Sequence, residues 1–212
     1  MKDLDDVYGA RSRYSTYSTI RVPFSESLRI TVEMPDYINA SQLIWVDMRG
    51  MEGLSITIGE GIALPATDYR LRLYKNEDVA VPAGYMIPLA KTDRSGLLYM
   101  TAVQVESTGY GYLEGCWRAK LGDAEWTQLT SGGEEMFMGA YYFDDRDTSI
   151  LPFVGLTRKE VTNGRATLSA FVEYTEYPIT FEDGLDFQWQ NGADFDVRNP
   201  AIYHCALVLE HF

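Results

Sequence analysis

The residues best placed for chemistry are two adjacent carboxylates, Glu134 and Glu135, which follow the pair Gly132-Gly133. The sequence predicts a glycine turn here, leading into an aromatic strand over residues 136–143. A sheet would hold an acidic pair rigidly while the turn lets it face a cleft, as general-acid or nucleophilic work on glycosides requires. The alternative is a solvated turn, because most surface carboxylates serve only to keep a protein wetted.

The elements that would position these groups are β-strands. Short apolar or alternating runs recur between Gly, Pro, Asn and Asp, whereas no stretch of a dozen residues carries a helical stripe. A turn is predicted at Asn163-Gly164 and another at residues 190–192. This pattern favours an all-β sandwich or jelly roll. The predicted strands cover residues 20–24, 28–32, 43–48, 54–58, 69–74, 97–105, 112–119, 126–129, 136–143, 166–174, 179–181, 185–189 and 203–211.

A weak internal repeat in the sequence indicates two related structural units. Residues 24–32 and 181–189 each contain an aromatic residue, an acidic turn and then alternating apolar residues. Two stacked jelly rolls would produce this repeat. Chance similarity would also produce it, because apolar and polar residues alternate in every half-buried strand. Our interpretation divides the chain into an N-terminal arm and two jelly-roll units, with the second boundary where Ser, Thr and Gly interrupt the pattern. The three parts are residues 1–17, 18–108 and 109–212.

Charge and composition exclude several functions. The 212 residues carry a formal net charge of -13, which would repel nucleic-acid phosphates and anionic membrane surfaces. Residues 1–6 lack the apolar core of an export signal, and no run approaches the ~20 apolar residues of a membrane span, so a soluble chain is expected. Cys116, Cys205, His204 and His211 lack metal-ligand spacing, and no metal or cofactor is expected. The cysteines fit either a disulfide or two buried thiols.

Nine short motifs follow one another in a fixed order along the chain. They cover residues 21–30, 44–49, 113–118, 129–137, 140–143, 155–157, 168–171, 178–185 and 189–192. In order and spacing they resemble glycoside hydrolase family 172, the group of difructofuranosidases and D-arabinofuranosidases. The resemblance implies a double jelly roll, related in architecture to viral double jelly-roll capsid proteins. It also implies assembly into trimers or larger oligomers and cleavage of furanosides with retention.

The same resemblance implies which carboxyls would act. Glu134 occupies the glutamate of the family's Ser-Gly-Thr-Glu-Asp-Tyr-Phe motif, which takes a direct part in catalysis. A retaining mechanism needs a second carboxyl ~5 Å away. The family's other catalytic glutamate falls within residues 146–151, where Asp147 is the only carboxylate, and Glu135 is the other candidate. Four aromatic residues could stack on sugar faces or, alternatively, fill the cores. They are Trp117, Trp126, Tyr141 and Tyr142.

The chain departs from the family motif in ways that leave three functions open. The motif's Thr and Tyr are Gly133 and Met136 here, and the family's usual N-terminal portion is missing before Met1. The first unit is therefore expected to be partial or completed by another chain. The leading hypothesis is a furanosidase that binds carbohydrate as a homo-oligomer. The alternatives are a structural, capsid-like shell subunit whose arm, residues 1–17, is exchanged with a neighbour, and a carbohydrate-binding module without turnover.

Overall fold

A computed structural model of the chain shows an all-β protein, as the sequence predicts. Helical structure in the described part is limited to one α-helical turn, α1 (Gly133–Met136), and two 3-10 turns, Gly111–Glu114 and Tyr141–Phe143. The structure describes residues 2–3, 16–17, 20–32, 46–59, 61–139, 141–143, 149–192 and 200–212. The strands are β1 (Lys2–Asp3), β2 (Thr16–Tyr17), β3 (Ile56–Ile58), β4 (Ile62–Leu64), β5 (Tyr69–Ala80), β6 (Met86–Thr92), β7 (Gly96–Ser107), β8 (Trp117–Leu121), β9 (Thr127–Thr130), β10 (Ser149–Ile150), β11 (Val154–Thr162), β12 (Arg165–Glu173), β13 (Ile179–Phe181), β14 (Leu185–Gln190) and β15 (Ala201–His211).

Two antiparallel sheets stack to form a sandwich. The larger sheet has the order β10-β11-β12-β7-β15-β5, and β13 pairs with the first residues of β7. The smaller sheet has the order β6-β14-β8-β9. The hairpin β3-β4 and the pair β1-β2 are separate two-stranded ladders. The expectation of an all-β sandwich is confirmed, whereas the double jelly roll remains a prediction.

The main core lies between the two sheets. Along β7, buried side chains such as Val103 and Val105 alternate with partly exposed ones, because successive side chains of a strand point to opposite faces. The smaller sheet meets them with Trp117, Phe187 and Trp189, each at most 2% exposed. Interdigitation of two such inner faces is the usual construction of a β-sandwich.

A second, smaller core covers part of the outer face of the larger sheet. The hairpin β3-β4 buries Ile56 and Ile58 against Leu97 of β7 and Leu209 of β15. Strands β7 and β15 are therefore apolar on both faces at this end. Their continuous buried runs follow from being covered on two sides.

Both large sheets contain strands from either side of residue 108. Strand β7 lies between β12 and β15 in the larger sheet, and β5 pairs with β15. In the smaller sheet β6 pairs with β14. The described strands therefore do not separate into two independently paired sets at the expected unit boundary. Of the expected arm, only Lys2–Asp3 and Thr16–Tyr17 are described, and they pair with each other.

Most predicted strands after residue 68 are confirmed, including 97–105, 179–181 and 185–189. The predicted turn at Asn163-Gly164 joins β11 to β12, and its φ values of 53° and 75° are those of a tight type I′ hairpin. Strands β6 and β11 were not predicted. Pro88 interrupts the pattern of β6, and the second half of β11 is mostly polar because it lies near the sheet edge.

The prediction of strands over residues 20–24 and 28–32 is wrong, because neither segment pairs with a described strand. Alternation gives a segment one apolar face, but a strand forms only where a sheet edge lies within reach. The predicted strand over 43–48 lies partly outside the described residues. Its last residues, 46–48, are exposed and unpaired in the same way.

Candidate functional site

The candidate site is built around α1, which packs tightly on the 3-10 turn Gly111–Glu114. A Cβ on Gly132 would lie 2.8 Å from the Leu113 carbonyl oxygen, and one on Gly133 would lie 2.7 Å from the Leu113 Cδ2. A side chain at Gly132 would collide with the backbone of the neighbouring turn, whereas one at Gly133 would have to displace the end of the Leu113 side chain. Close packing rather than flexibility therefore accounts for the glycine at position 132.

Both predicted carboxylates converge at the start of α1. The Oε2 atoms of Glu135 and Glu134 lie 2.7 Å and 3.3 Å from the point that a Gly132 Cβ would occupy. The two oxygens are therefore separated by no more than these two distances together, a limit that includes the ~5 Å between the carboxyls of retaining glycosidases. Glu134 is 7% exposed, whereas Glu135 is open to solvent. The pair thus combines one buried and one accessible carboxylate.

The start of α1 itself helps to bring the two carboxylates together. The first backbone N–H groups of a helical turn have no partner within the turn and form a positive end that attracts carboxylates. Glu135 is the third residue of α1, a position from which glutamate commonly folds back over the helix start. The geometry therefore serves both the stability of the turn and the placement of two acids together.

The segment after α1 is not the strand that the sequence predicts over residues 136–143. Met138, Tyr141 and Phe143 have φ values of 54°, 49° and 57°, in the left-handed region that non-glycine residues seldom adopt. A strand requires strongly negative φ, so this conformation excludes one. Each such residue costs on the order of 1–3 kcal/mol, and this strain is concentrated beside the acidic pair.

Packing and hydrogen bonds hold this strained segment in place. The Phe143 ring is 2% exposed and lies against Gly139, where a Cβ would approach a ring carbon to 2.0 Å. At the start of the segment, the Gly139 N–H donates to the Glu134 carbonyl oxygen at 2.6 Å. At its end, the Lys159 Nζ donates to the Phe143 carbonyl oxygen at 3.1 Å and lies 5.5 Å from the ring centroid of Tyr110. The segment is thus fixed at both ends.

The four predicted sugar-stacking residues have different environments. Trp117 is 2% exposed and lies 5.6 Å from the Phe137 ring and 5.8 Å from the Phe187 ring, so it fills the core instead of facing a sugar. Tyr141 is 82% exposed and Trp126 is 44% exposed, so their rings are accessible. The Tyr142 side chain and Asp147 lie outside the described residues.

Two hollows in the described part of the chain are lined by residues other than the two carboxylates. One is an internal space of about 10 Å³ beneath α1, lined by Gly133, Phe137, Trp117 and other core residues, with room for a single water molecule. The other is an open groove of about 430 Å³ formed by the turns at residues 121–123 and 180–183. The second groove is large enough for a sugar, but its described lining includes neither Glu134 nor Glu135.

The histidines and cysteines, which were considered as metal ligands or disulfide partners, have other roles. His204 is buried, and its Nε2 lies 3.0 Å from the Thr101 hydroxyl. Loss of hydration lowers the pKa of His204 to about 3. Cys116 and Cys205 are free thiols, and burial raises the pKa of Cys205. Across the described residues no group of three or more His, Cys, Asp or Glu side chains is arranged for a metal ion.

One buried carboxylate, Glu210, was missed by the sequence reasoning. It is 1% exposed and accepts a hydrogen bond from the Tyr74 hydroxyl at 2.5 Å. Its Oε2 lies 3.3 Å from the Arg72 Nε and 3.8 Å from the Arg94 Nε. Burial raises the pKa of Tyr74, and the bond to Glu210 adds to the rise. The sequence does contain a sign of this buried carboxylate, because Glu210 occupies an inward-facing position in the mostly apolar strand β15.

Comparison with known protein families finds none that matches this chain, and comparison with curated proteins also finds no match. The resemblance to glycoside hydrolase family 172 therefore stays a prediction, based on the order and spacing of the motifs. The helices in the described ranges are all too short to cross a membrane.

Proposed function

We propose that this protein is a glycoside hydrolase that acts on furanosides, either D-arabinofuranosides or fructofuranosides, through Glu134 and Glu135. The observation that carries the proposal is the approach of both Oε2 atoms to one point beside Gly132. A retaining glycosidase needs at least two carboxyl groups that lie roughly 5 Å from each other. The motif that resembles family 172 includes both residues.

The proposed chemistry proceeds in two displacements. In the first, one carboxylate attacks the anomeric carbon while the other, as a carboxylic acid, gives its proton to the leaving oxygen. The glycosidic C–O bond breaks and a glycosyl ester forms. In the second, the acid that lost its proton takes one from water, and the water oxygen displaces the ester. Both carboxyls return to their starting states, and the sugar keeps its anomeric configuration.

Two further features support a sugar substrate. The strained segment places the exposed Tyr141 ring a few residues after the acidic pair, and aromatic faces are common platforms for sugar rings. The net charge of -13 favours a neutral glycan over a polyanionic one. Backbone strain of this kind is concentrated at functional sites in many proteins.

The test is hydrolysis of nitrophenyl arabinofuranosides and fructofuranosides by the wild type and by Glu134→Gln and Glu135→Gln. We expect each substitution to lower kcat/KM by about 100- to 10,000-fold, because it removes acid/base or nucleophilic assistance. The matched control is Glu125→Gln, since Glu125 is an exposed carboxylate outside the site and should be dispensable. Absence of hydrolysis by the wild type, or full activity of Glu134→Gln, would contradict the proposal.

The partner of Glu134 can be decided by a third variant, Asp147→Asn. If Glu135 is the second carboxyl, Asp147→Asn should keep activity within a few-fold of wild type while Glu135→Gln loses it. The reverse result would assign the pair to Glu134 and Asp147. Both results retain the two-carboxyl mechanism, and only full activity of both variants would remove both candidates.

A structural role in an oligomeric, capsid-like shell is the second candidate, because the chain exposes apolar side chains along residues 27–32 and 46–54. A protein that neither hydrolyses nor binds furanosides but forms large symmetric particles in light scattering would support this role. Binding of furanosides by calorimetry without cleavage would instead indicate a carbohydrate-binding module that uses Tyr141 and Trp126.

A further inference from the structure

Residues 27–32 have the pattern of a strand but pair with none of the described strands. Leu28, Ile30 and Val32 form one apolar face, and Ser27, Arg29 and Thr31 form the other, which is polar. All six side chains are exposed, and the three apolar ones are 45%, 52% and 55% exposed. A strand of this kind is stabilised only when another strand satisfies its backbone groups and covers its apolar face.

The start of this segment is anchored to the sandwich. Ile20 packs against the smaller core, and Pro23 is buried. The Arg21 N–H donates to the Tyr99 hydroxyl at 3.3 Å, and the Arg21 Nη1 donates to the Thr57 carbonyl oxygen at 2.9 Å. The segment therefore leaves the body of the protein from a fixed point. Residues 25–32, which follow this anchor, are all exposed.

The sequence of the segment is complementary to itself in the antiparallel direction. If two copies align with Ile30 opposite Ile30, Leu28 of each copy faces Val32 of the other, and all six apolar side chains lie on one face. Arg29 then faces Thr31, so no like charges are placed opposite each other. A shift of one residue would put the apolar rows on opposite faces. A shift of two residues keeps the apolar rows together, but it either places Arg29 opposite Arg29 or puts Thr31 at the centre and draws in residues beyond 32. The register centred on Ile30 is the one that pairs residues 28–32 with themselves.

Charge opposes a second copy less at this place than over the rest of the surface. The whole chain carries -13, so two copies repel each other over most of their surfaces. Residues 20–32 are different, because they contain Arg21 and Arg29 but only one acid, Glu26. Two copies can approach along this segment without bringing concentrated negative charge together.

We propose that two copies of this chain associate about a two-fold axis through antiparallel pairing of residues 28–32, with Ile30 at the axis. The contact is isologous, since each copy supplies the same strand. It is independent of the proposed hydrolase activity.

The first test places a cysteine on the axis, in a Cys116→Ser, Cys205→Ser background. Ile30→Cys would bring two Cα atoms to about 4.5–5.5 Å, within the range of a disulfide. We expect most of the protein to run as a covalent dimer on non-reducing gels after air oxidation. Thr31→Cys is the matched control, because residue 31 faces Arg29 and its own copy lies too far away, at about 7–8 Å. Equal cross-linking of both variants, stronger cross-linking of Thr31→Cys, or cross-linking of neither would overturn the proposal.

The second test measures mass in solution with the native cysteines present. The wild type should show a concentration-dependent dimer by light scattering, strengthened by salt because salt screens the net charge. Ile30→Asp places two carboxylates face to face on the axis, and we expect it to shift the dissociation midpoint at least ten-fold while far-UV circular dichroism is unchanged. A wild type that stays monomeric, and so leaves the strand to a different partner, would overturn the proposal. An oligomer that Ile30→Asp leaves intact would do the same.

Discussion

Gly139 illustrates how one missing side chain can set the geometry next to the acidic pair. A Cβ at this position would approach the Phe143 ring to 2.0 Å, so Gly139→Ala must displace either the ring or the backbone. We expect a loss of about 1–3 kcal/mol in the free energy of unfolding, the usual range for overpacking a filled site. Urea denaturation followed by circular dichroism measures it.

The control for this prediction is Gly109→Ala, because nothing lies within 4 Å of a Cβ at Gly109. That variant should differ from the wild type by no more than about 0.5 kcal/mol. Equal stabilities of Gly139→Ala and Gly109→Ala would show that the Phe143 ring does not pack as described.

His204 makes stability depend on pH in a defined direction. The folded protein protonates it only near about 3, whereas the unfolded chain does so near 6.5. The unfolded state therefore binds more protons between these values, and stability must fall as the pH is lowered from 6.5 towards 3. The slope should reach up to about 1.4 kcal/mol per pH unit. Urea midpoints measured from about pH 7 to about pH 4 give this slope.

The variant for this test is the pair Thr101→Val and His204→Leu, which removes both members of the buried hydrogen bond together. Its stability should depend less on pH in the same window. His211→Gln is the matched histidine control, since His211 is exposed and lies outside the buried hydrogen bond. A slope that survives in the double variant would assign the effect to other groups.

At the scale of elements, the β11-β12 hairpin needs glycine at position 164 because of its backbone conformation and not because of packing. Its φ is 75°, and nothing lies within 4 Å of the point that a Cβ would occupy there, so the cost of Gly164→Ala comes from the left-handed conformation. We expect a destabilisation of about 1–2 kcal/mol, the usual cost of this conformation for a residue with a Cβ. Thermal or urea unfolding checks it. A neutral Gly164→Ala would mean that the turn relaxes to another type.

The elements that could be predicted from the sequence are those whose conformation is determined by residues close together in the chain. Strand β13 and the Asn163-Gly164 turn follow from alternation and from the turn preference of Asn-Gly. Residues 136–143 could not be predicted, because their left-handed conformations depend on Phe143 packing against Gly139 and on Lys159 from a distant strand. Tertiary contacts override local preference in such a segment.

The candidate site was predictable in part for the same reason. Glu134 and Glu135 stand together in the sequence, and the turn that joins them is short, so their proximity needs no long-range information. The burial of Trp117 is also local information, because Trp117, Ala119 and Leu121 of β8 alternate with Arg118 and Lys120 and so form its apolar face. The burial of Glu134 is not, because it depends on the packing of α1 against the turn Gly111–Glu114.

At the scale of the whole molecule, the sandwich should behave as a single cooperative unit. Strand β7 lies between β12 and β15, and β6 pairs with β14, so each sheet needs strands from before residue 108. We therefore expect a fragment of residues 109–212 to remain unfolded, with narrow amide dispersion in its NMR spectrum. The full chain should unfold in one calorimetric transition. A folded fragment would show that the second unit is independent after all.

The place of β15 between β7 and β5 also fixes an order of events during synthesis. Thr101 and His204, which meet across this junction, are 103 residues apart in the chain. Strands β5 and β7 leave the ribosome well before the strand that joins them, and such distant pairings form slowly. The nascent chain therefore carries two apolar strands without their common neighbour, and unpaired strands of this kind favour aggregation until the last strand has been made.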